Sequence, residues 1–554
     1  MQNRLVATAA HDRTAESETL PALLRCRAAA EPEKLIYTFL NADLKPECQM
    51  TLSGLLDQAQ KLACGMQRIG LTGKRLGLIY SHGPEFVLAF WASVLAGVTP
   101  VPSTKPRGTS WSGMAALLSK QGVRAVLTGQ TLAALIKVDQ VPVYTLSSLL
   151  EFSLQQSPLK LQSPQASDVA FIQFTSGSTS QPKGVAISHS NILANVRQIS
   201  SAFQCNRDDV GLSWLPFHHD MGLIGHVIQP VYAGIHNYFL SPKTFVARPL
   251  KWLAAIDKYR VTISGGPSFA YRRCLQQISQ SGQLDTDLDL SCWRLAYCGS
   301  ERVSYRTLRE FLTALRRYGM QDQALFPCYG LAEATLFVSG VQGLKADRES
   351  LNKRDDQAVA VGSSSRVIKI VDTVRRRCCE DGQEGEIWVK SASVASGYTR
   401  ETESDGRVFG QRLNDVSGRF LRTGDRGYFR AGLLYVTGRE NSMLKVRGKP
   451  LCAEFIEGQV EHRFTRHGIG RCAAVAVNCD GCETLALILE STRAIASLDL
   501  HRIVSFVLEL TGVAPEGAHV LSSGRMPLTT SGKIKRDQCR SLMQSLLDKE
   551  VNCA

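Results

Sequence analysis

Between Phe174 and Asn191 the chain reads FTSGSTSQPKGVAISHSN. Four hydroxyl side chains, Thr175, Ser176, Ser178 and Thr179, surround Gly177, and Lys183 follows. Backbone N–H groups, hydroxyls and an ammonium arranged in this way can wrap a polyphosphate. The stretch contains no GxxxxGK[ST] spacing, so it is not a Walker-type loop. A surface Ser/Gly turn has the same composition, so composition alone does not decide between the two. Two further stretches carry chemistry-bearing types. One is SWLPFHHDMGLIG (213–225), with His218, His219, Asp220 and Met221 in succession. A histidine pair without a third ligand is a poor metal site. The other is SGGPSFAYRRC (264–274), in which Gly265 and Gly266 would let the backbone approach a ligand closely.

The elements that must position these residues alternate between strand and helix patterns over roughly the first 430 residues. The runs RLGLIY, VRAVLTG and VAFIQF read as strands, and GPEFVLAFWASVLAG has helical spacing. VAFIQF feeds the hydroxyl-rich loop. GVAIS resumes as a strand and passes into a helix that Ser190 is expected to cap. The alternation predicts an α/β fold whose sheets are largely parallel. Past residue 360, VIKIVD, EGEIWVKS, RFLRTGDRGYF and GLLYVTGRE are short alternating strands. They predict a small β-rich subdomain at about 360–437. The remainder, 438–554, mixes both patterns and is long enough for a separate small α+β domain.

The chain has 554 residues, a formal net charge of +14 and 21% charged residues, within the ordinary range for a globular protein. A basic balance favours acidic partners such as nucleotides or an acidic carrier protein. The densest basic run, VRRRCC (374–379), lacks the interleaved aromatics of a nucleic-acid platform, so no nucleic-acid partner is expected. The 16 cysteines stand at irregular positions and read as reduced thiols used as small apolar residues. That usage points to the cytoplasm. The opening MQNRLVATAAHDRTAESETL has no apolar core of a signal peptide. The run FVLAFWASVLAG is too short to span a bilayer, so no membrane insertion is expected.

The order of the motifs adds a resemblance. FTSGSTSQPKG resembles the phosphate loop of adenylate-forming enzymes, the group of acyl-CoA synthetases, peptide-synthetase adenylation domains and luciferases. YGLAEAT (329–335) resembles the adenine and magnesium motif of that family, and RTGD (422–425) its ribose motif. GRENSMLKVRG (438–448) resembles its hinge, and PLTTSGKIKR (527–536) its catalytic-lysine motif. Read singly, RTGD is a β-turn and SGK a solvated tail; the order of five motifs is what carries the resemblance. A narrower likeness, to fatty acyl-AMP ligases, rests on SWLPFHHDMGLIG, SGGPSFAYRRC, YGLAEATLFVSG and ASGYTRETESDGRVFG. The charged stretch 343–362 sits where that subfamily carries an insertion.

The resemblance implies a large N-terminal adenylation domain, 1–437, and a mobile C-terminal domain, 438–554. It implies ATP and Mg²⁺, with Thr175 to Lys183 on the β- and γ-phosphates and Glu333 as metal ligand. Tyr329, with Gly330 beside it, would lie against adenine, and Gly299 and Ser300 along its other edge. Asp425 would accept the ribose hydroxyls and Arg439 would support ribose or phosphate. Lys533 would act at the reacting centre. His219, Asp220, Met221, Gly265, Gly266 and Phe269 would line the acyl pocket. The implied reaction converts a fatty acid to acyl-AMP with release of pyrophosphate. The acyl group then passes to the phosphopantetheine thiol of an acyl carrier protein. An acyl-CoA synthetase and an amino- or aryl-acid adenylating enzyme remain alternatives at this point. Departures from the family pattern include Asn441 at the hinge and the absence of Gly-x-Pro in VGSSSRVIKIVD (361–372).

Overall fold

In a computed structural model of the chain, the described residues are 16–104, 111–136, 141–153, 163–175, 183–281, 287–347, 358–364, 367–400, 405–439, 443–446, 449–479, 482–491, 497–529 and 533–552. The largest sheet has eight strands. Six central ones run parallel: Leu325–Gly330, Leu295–Cys298, Ile263–Gly266, Val210–Ser213, His236–Leu240 and Leu35–Leu40, in that spatial order. Antiparallel strands Phe337–Gly340 and Pro46–Thr51 close its two edges. Most residues of the central strands are buried, as in parallel strands covered on both faces. A second, parallel sheet of four strands is built on Arg75–Ile79 and Val123–Thr128. The helix Pro84–Leu95 connects two of its strands and is buried on nearly every side. That explains why its sequence is apolar all round rather than amphipathic.

The strand Val169–Phe174 returns antiparallel as Gly184–Ser188. The helix that follows, His189–Ala202, is capped by Ser188, not Ser190. Ser188 accepts the Asn191 N–H, and the Asn191 side chain accepts the Ser188 N–H, a reciprocal capping box. Ser190 lies two residues beyond the cap position, already within the first turn.

Six antiparallel strands between Ala360 and Arg439 form a third sheet. Beyond it, Ile469–Cys479, Cys482–Ser491 and Gly517–Ser522 make a three-stranded sheet. Alternate residues of this sheet enter different cores. Cys472, Ala474, Leu485 and Leu487 pack with the helices Ala453–Phe464 and Ser497–Thr511. Ala473, Val475, Ala486 and Ile488 pack with Cys539 and Met543 of Arg536–Asn552. The period of two therefore makes both faces apolar over residues 472–477 and 485–489. Inside this unit the buried Arg536 guanidinium pairs with Glu457, which also accepts the Ala474 N–H at 2.9 Å.

One spacing escapes the reading of the cysteines as irregular. Cys479 and Cys482 form a Cys-x-x-Cys spacing and stand in register at the ends of two antiparallel strands. Residues 480–481 lie outside the described residues. No helix of the described residues is long and apolar enough to cross a membrane.

Candidate active site

Parallel α/β sheets bind ligands beyond the carboxyl ends of their strands. The residues singled out in the sequence converge there, around a cavity of about 860 Å³. Thr175 and Lys183 flank the ends of the antiparallel pair Val169–Phe174 and Gly184–Ser188. The Thr175 N–H donates to the Lys183 carbonyl at 2.9 Å, and the Lys183 N–H donates to Thr175 Oγ1 at 3.3 Å. These two bonds close the base of the loop. Ser176, Gly177, Ser178 and Thr179 lie outside the described residues.

Lys183 Nζ stands 4.6 Å from the centroid of the Tyr398 ring. The Tyr398 hydroxyl donates to Glu333 Oε1 at 2.8 Å. Tyr398 thus joins the loop lysine to the candidate metal ligand. It lies within the stretch ASGYTRE, where nothing in the local sequence marks it for a role. Its backbone bridges Val185, which brings it to the loop.

Asp425 is 5% exposed, and both its oxygens accept protein donors. Tyr329 Oη donates to Oδ2 at 2.6 Å, and Arg439 Nε donates to Oδ1 at 2.7 Å. The strand pairing that sets Asp425 opposite Arg439 enforces the second contact. The Asp425 charge, partly offset by burial, holds the guanidinium of Arg439 above its ordinary range. Burial, reinforced by Asp425, keeps the Tyr329 phenol neutral far above its usual limit. Each carboxylate oxygen retains a lone pair for a further donor. Gly424 has φ +70°, a left-handed conformation that suits the glycine of RTGD.

Tyr329, Gly330, Ser300 and Glu333 line the cavity, as do His219, Asp220, Met221 and Phe269. Four of the described residues expected at the ligand do not line it: Asp425, held behind Tyr329 and Arg439, and the glycines 265, 266 and 299. A Cβ at Gly265 would fall 2.1 Å from the Tyr297 carbonyl, and one at Gly266 would fall 2.7 Å from the Trp214 ring. The glycine pair makes room for protein neighbours rather than for a ligand. Gly299 likewise lies against Cys328, whose Sγ would meet its Cβ at 2.8 Å. His218 does not line the cavity either. Its ring lies 4.4 Å from that of His219, and burial drives its pKa well below the usual value.

Lys533 lines this same cavity, although it belongs to the C-terminal part of the chain. Its loop is pinned by the Thr529 N–H donating to the Lys533 carbonyl at 2.7 Å, and by the Lys533 N–H donating to Thr529 Oγ1 at 3.0 Å. Burial, followed by the charge of Arg439, lowers the Lys533 pKa; Asp220 and Glu301 oppose the shift. The Asp220 carboxyl is raised, again chiefly by burial. Two contacts hold the C-terminal part in this position. Arg272 Nη1 lies 2.5 Å from Glu461 Oε2, and the Arg302 guanidinium lies 5.5 Å from the centre of the Phe455 ring. Glu461 is itself fixed by the Cys472 N–H at 3.0 Å. A pocket with cations at one end, carboxylates between them and an apolar extension fits an anionic, phosphorylated ligand with a lipophilic part.

The family model of the AMP-binding enzymes matches residues 24–399. The chain is 32% identical to the medium-chain-fatty-acid–[acyl-carrier-protein] ligase JamA of Moorena producens, covering 96% of both chains. It is 30% identical to the long-chain-fatty-acid–AMP ligase FadD23 of Mycobacterium tuberculosis, over 95% of this chain and 96% of that one. Among solved structures, it is similar to the fatty acyl-adenylate ligase from L. pneumophila in complex with acyl adenylate and pyrophosphate. There the TM-score is 0.74 at 33% identity, covering 96% of this chain and 97% of the other. The chain therefore belongs to the AMP-binding, adenylate-forming enzymes, and within them it is similar to the fatty acyl-AMP ligases.

Proposed function

We propose that this protein activates a fatty acid as its acyl-adenylate and then loads it onto an acyl carrier protein. A carboxylate is a poor acyl donor because its oxygen leaves badly. In the first step a carboxylate oxygen attacks the α-phosphorus of ATP, the P–O bond to pyrophosphate breaks, and a mixed anhydride forms. In the second, the phosphopantetheine sulfur attacks the acyl carbon, the thiol proton is lost, and AMP departs. The first step brings two anions together, so positioning and electrostatic stabilisation carry the catalysis.

The observation that carries this reading is the presence of Lys533 in one cavity with Thr175, Lys183, Tyr329, Glu333 and Arg439. The Thr175–Lys183 loop holds the β- and γ-phosphates and steadies the departing pyrophosphate. Arg439 and Asp425 fix the ribose side, where Asp425 uses its remaining lone pairs. Tyr329 packs beside the base, its hydroxyl tied to Asp425. Lys533 donates to the α-phosphate and carboxylate oxygens as charge moves between them. The buried ammonium gains stabilisation from that developing charge, where solvent would otherwise screen it.

Glu333 suits Mg²⁺: one oxygen is held by Tyr398, leaving the second for the metal. Among the described residues no cluster of three or more His, Cys, Asp or Glu could hold a metal ion. That fits an ion bound mainly by phosphates and water, with a single protein carboxylate. Bound there, Mg²⁺ would neutralise phosphate charge. The domain boundary at 437/438 and the insertion at 343–362 belong to the same proposal, as does a cytoplasmic setting. Fourteen cysteines of the described residues are free thiols, which supports that setting.

A panel of fatty, amino and aryl acids, each supplied with ATP and Mg²⁺, tests the reading through pyrophosphate release and mass detection of the adenylate. Fatty acids alone should give turnover. Turnover confined to amino or aryl acids would reassign the substrate.

A further inference from the structure

The acyl end of the cavity is not uniformly apolar. The cavity passes from the carboxyl ends of the parallel strands back towards their amino ends. There it is lined by Gly211 and Asn237, each the second residue of its strand, and by Ile235 just before the second strand. Ile199 and Phe203, from the end of the helix His189–Ala202 and just past it, form the facing wall. Among these groups sit four polar side chains. Three satisfy one another. His226 Nδ1 meets Asn237 Oδ1 at 2.9 Å, and His226 Nε2 meets the Tyr297 hydroxyl at 2.6 Å. Burial keeps this histidine neutral, with its pKa lowered to about 4.

The fourth is Gln229, which lines the cavity and is 3% exposed. Its Nε2 donates to Ser200 Oγ at 2.7 Å, which fixes the amide. Its Oε1 is buried and has no hydrogen-bond partner among the described residues. A buried acceptor left unpaired is costly, and a purely hydrocarbon chain laid beside it leaves it so. The charged residues that line the cavity, Lys183, Glu333, Arg439 and Lys533 among them, gather at the nucleotide end. None of the described lining residues near Gln229 is charged, so an ammonium or carboxylate would find no counter-ion there. A neutral donor fits.

We propose that Gln229 reads a hydroxyl carried by the acyl chain far from its carboxylate, so that the preferred substrates are hydroxylated fatty acids. This rests on the fatty-acid reading of the site. With Oε1 buried, its meeting the hydroxyl requires the Gln229 amide to turn towards the cavity when the substrate binds.

The test compares kcat/KM for acyl-AMP formation between unsubstituted and ω- or (ω−1)-hydroxy fatty acids of matched carbon number. The wild-type enzyme is expected to favour the hydroxy acid about tenfold at one chain length. In Gln229→Leu that ratio should fall to about one or below. A wild-type enzyme that gains nothing from the hydroxyl at any length overturns the inference and leaves fatty-acid activation standing. So does a ratio that Gln229→Leu leaves unchanged. Failure of every fatty acid, hydroxylated or not, overturns both.

Discussion

The buried ammonium of Lys533 works only while protonated, and its lowered pKa brings proton loss to a lower pH than for an exposed lysine. The rate should therefore fall on the alkaline side, as pH rises through that lowered value. In kcat/KM for ATP, which reports the free enzyme, the wild type should lose activity at high pH. Lys533→Arg should move that limb upward, because a guanidinium stays charged. Lys533→Ala should cut acyl-AMP formation by about a hundredfold or more, with ATP binding retained, as loss of a charge-stabilising donor does. Rapid quench of single turnovers, with nucleotide binding measured beside it, checks both. Tyr398→Phe removes one hydrogen bond to Glu333 while keeping the ring beside Lys183. It should lower the rate severalfold at subsaturating Mg²⁺ and less at saturation. A rate loss independent of Mg²⁺ would refute its role in orienting the carboxylate. Glu333, Asp425, Arg439 and Lys533 were legible from sequence because each sits within a contiguous, ordered motif. Tyr398 was not, because its role depends on contacts with Glu333 and Lys183, both far from it in sequence.

Helix ends and strand edges place these groups, and local pattern revealed some of them better than others. The parallel strands and the all-apolar helix Pro84–Leu95 followed from alternation and composition. The cap did not: Ser188 and Ser190 are both serines near the helix start, and only backbone direction separates them. Gly265 and Gly266 misled for a related reason. A glycine pair signals a close approach, but not whether a ligand or a Trp214 ring approaches. The polar inner wall was equally hidden, since Ser200, Gln229, Asn237 and Tyr297 meet only after four elements pack. Between the large and small parts, the helices Ser268–Ser281 and Ala453–Phe464 meet through Arg272 and Glu461. Solvent reaches this pair, so its contribution is modest. Arg272→Ala should slow acyl-AMP formation about threefold to fivefold. It should leave acyl transfer from supplied acyl-AMP much less affected, because Lys533 is assigned to the α-phosphate and carboxylate oxygens of the first step. Arg272→Glu should be worse than Ala, and Arg272→Lys close to wild type. Equal loss in both half-reactions would contradict the assignment.

At the scale of the whole molecule, several histidines are buried in the neutral form. Burial lowers the pKa of His82 to about 3 and those of His189, His226 and His236 to about 4. Unfolding returns them to an ordinary value near 6.5, so the unfolded chain binds more protons below that pH. Stability should hold above about pH 6.5 and fall as the solution is acidified towards 4, by several kcal/mol in all. Denaturant titrations at pH 7, 5.5 and 4.5 measure this, and a midpoint unchanged across them would refute it. The net charge of +14 leaves a surface suited to an acidic partner, a matter of encounter rate more than of identity. The central claim is that an acyl-adenylate made in this cavity is handed to a carrier protein. Its most direct test supplies ATP, Mg²⁺ and a fatty acid together with equal concentrations of CoA and a phosphopantetheinylated acyl carrier protein. Acyl-carrier thioester should form with little or no acyl-CoA. Acyl-CoA as the main thioester product would contradict the account.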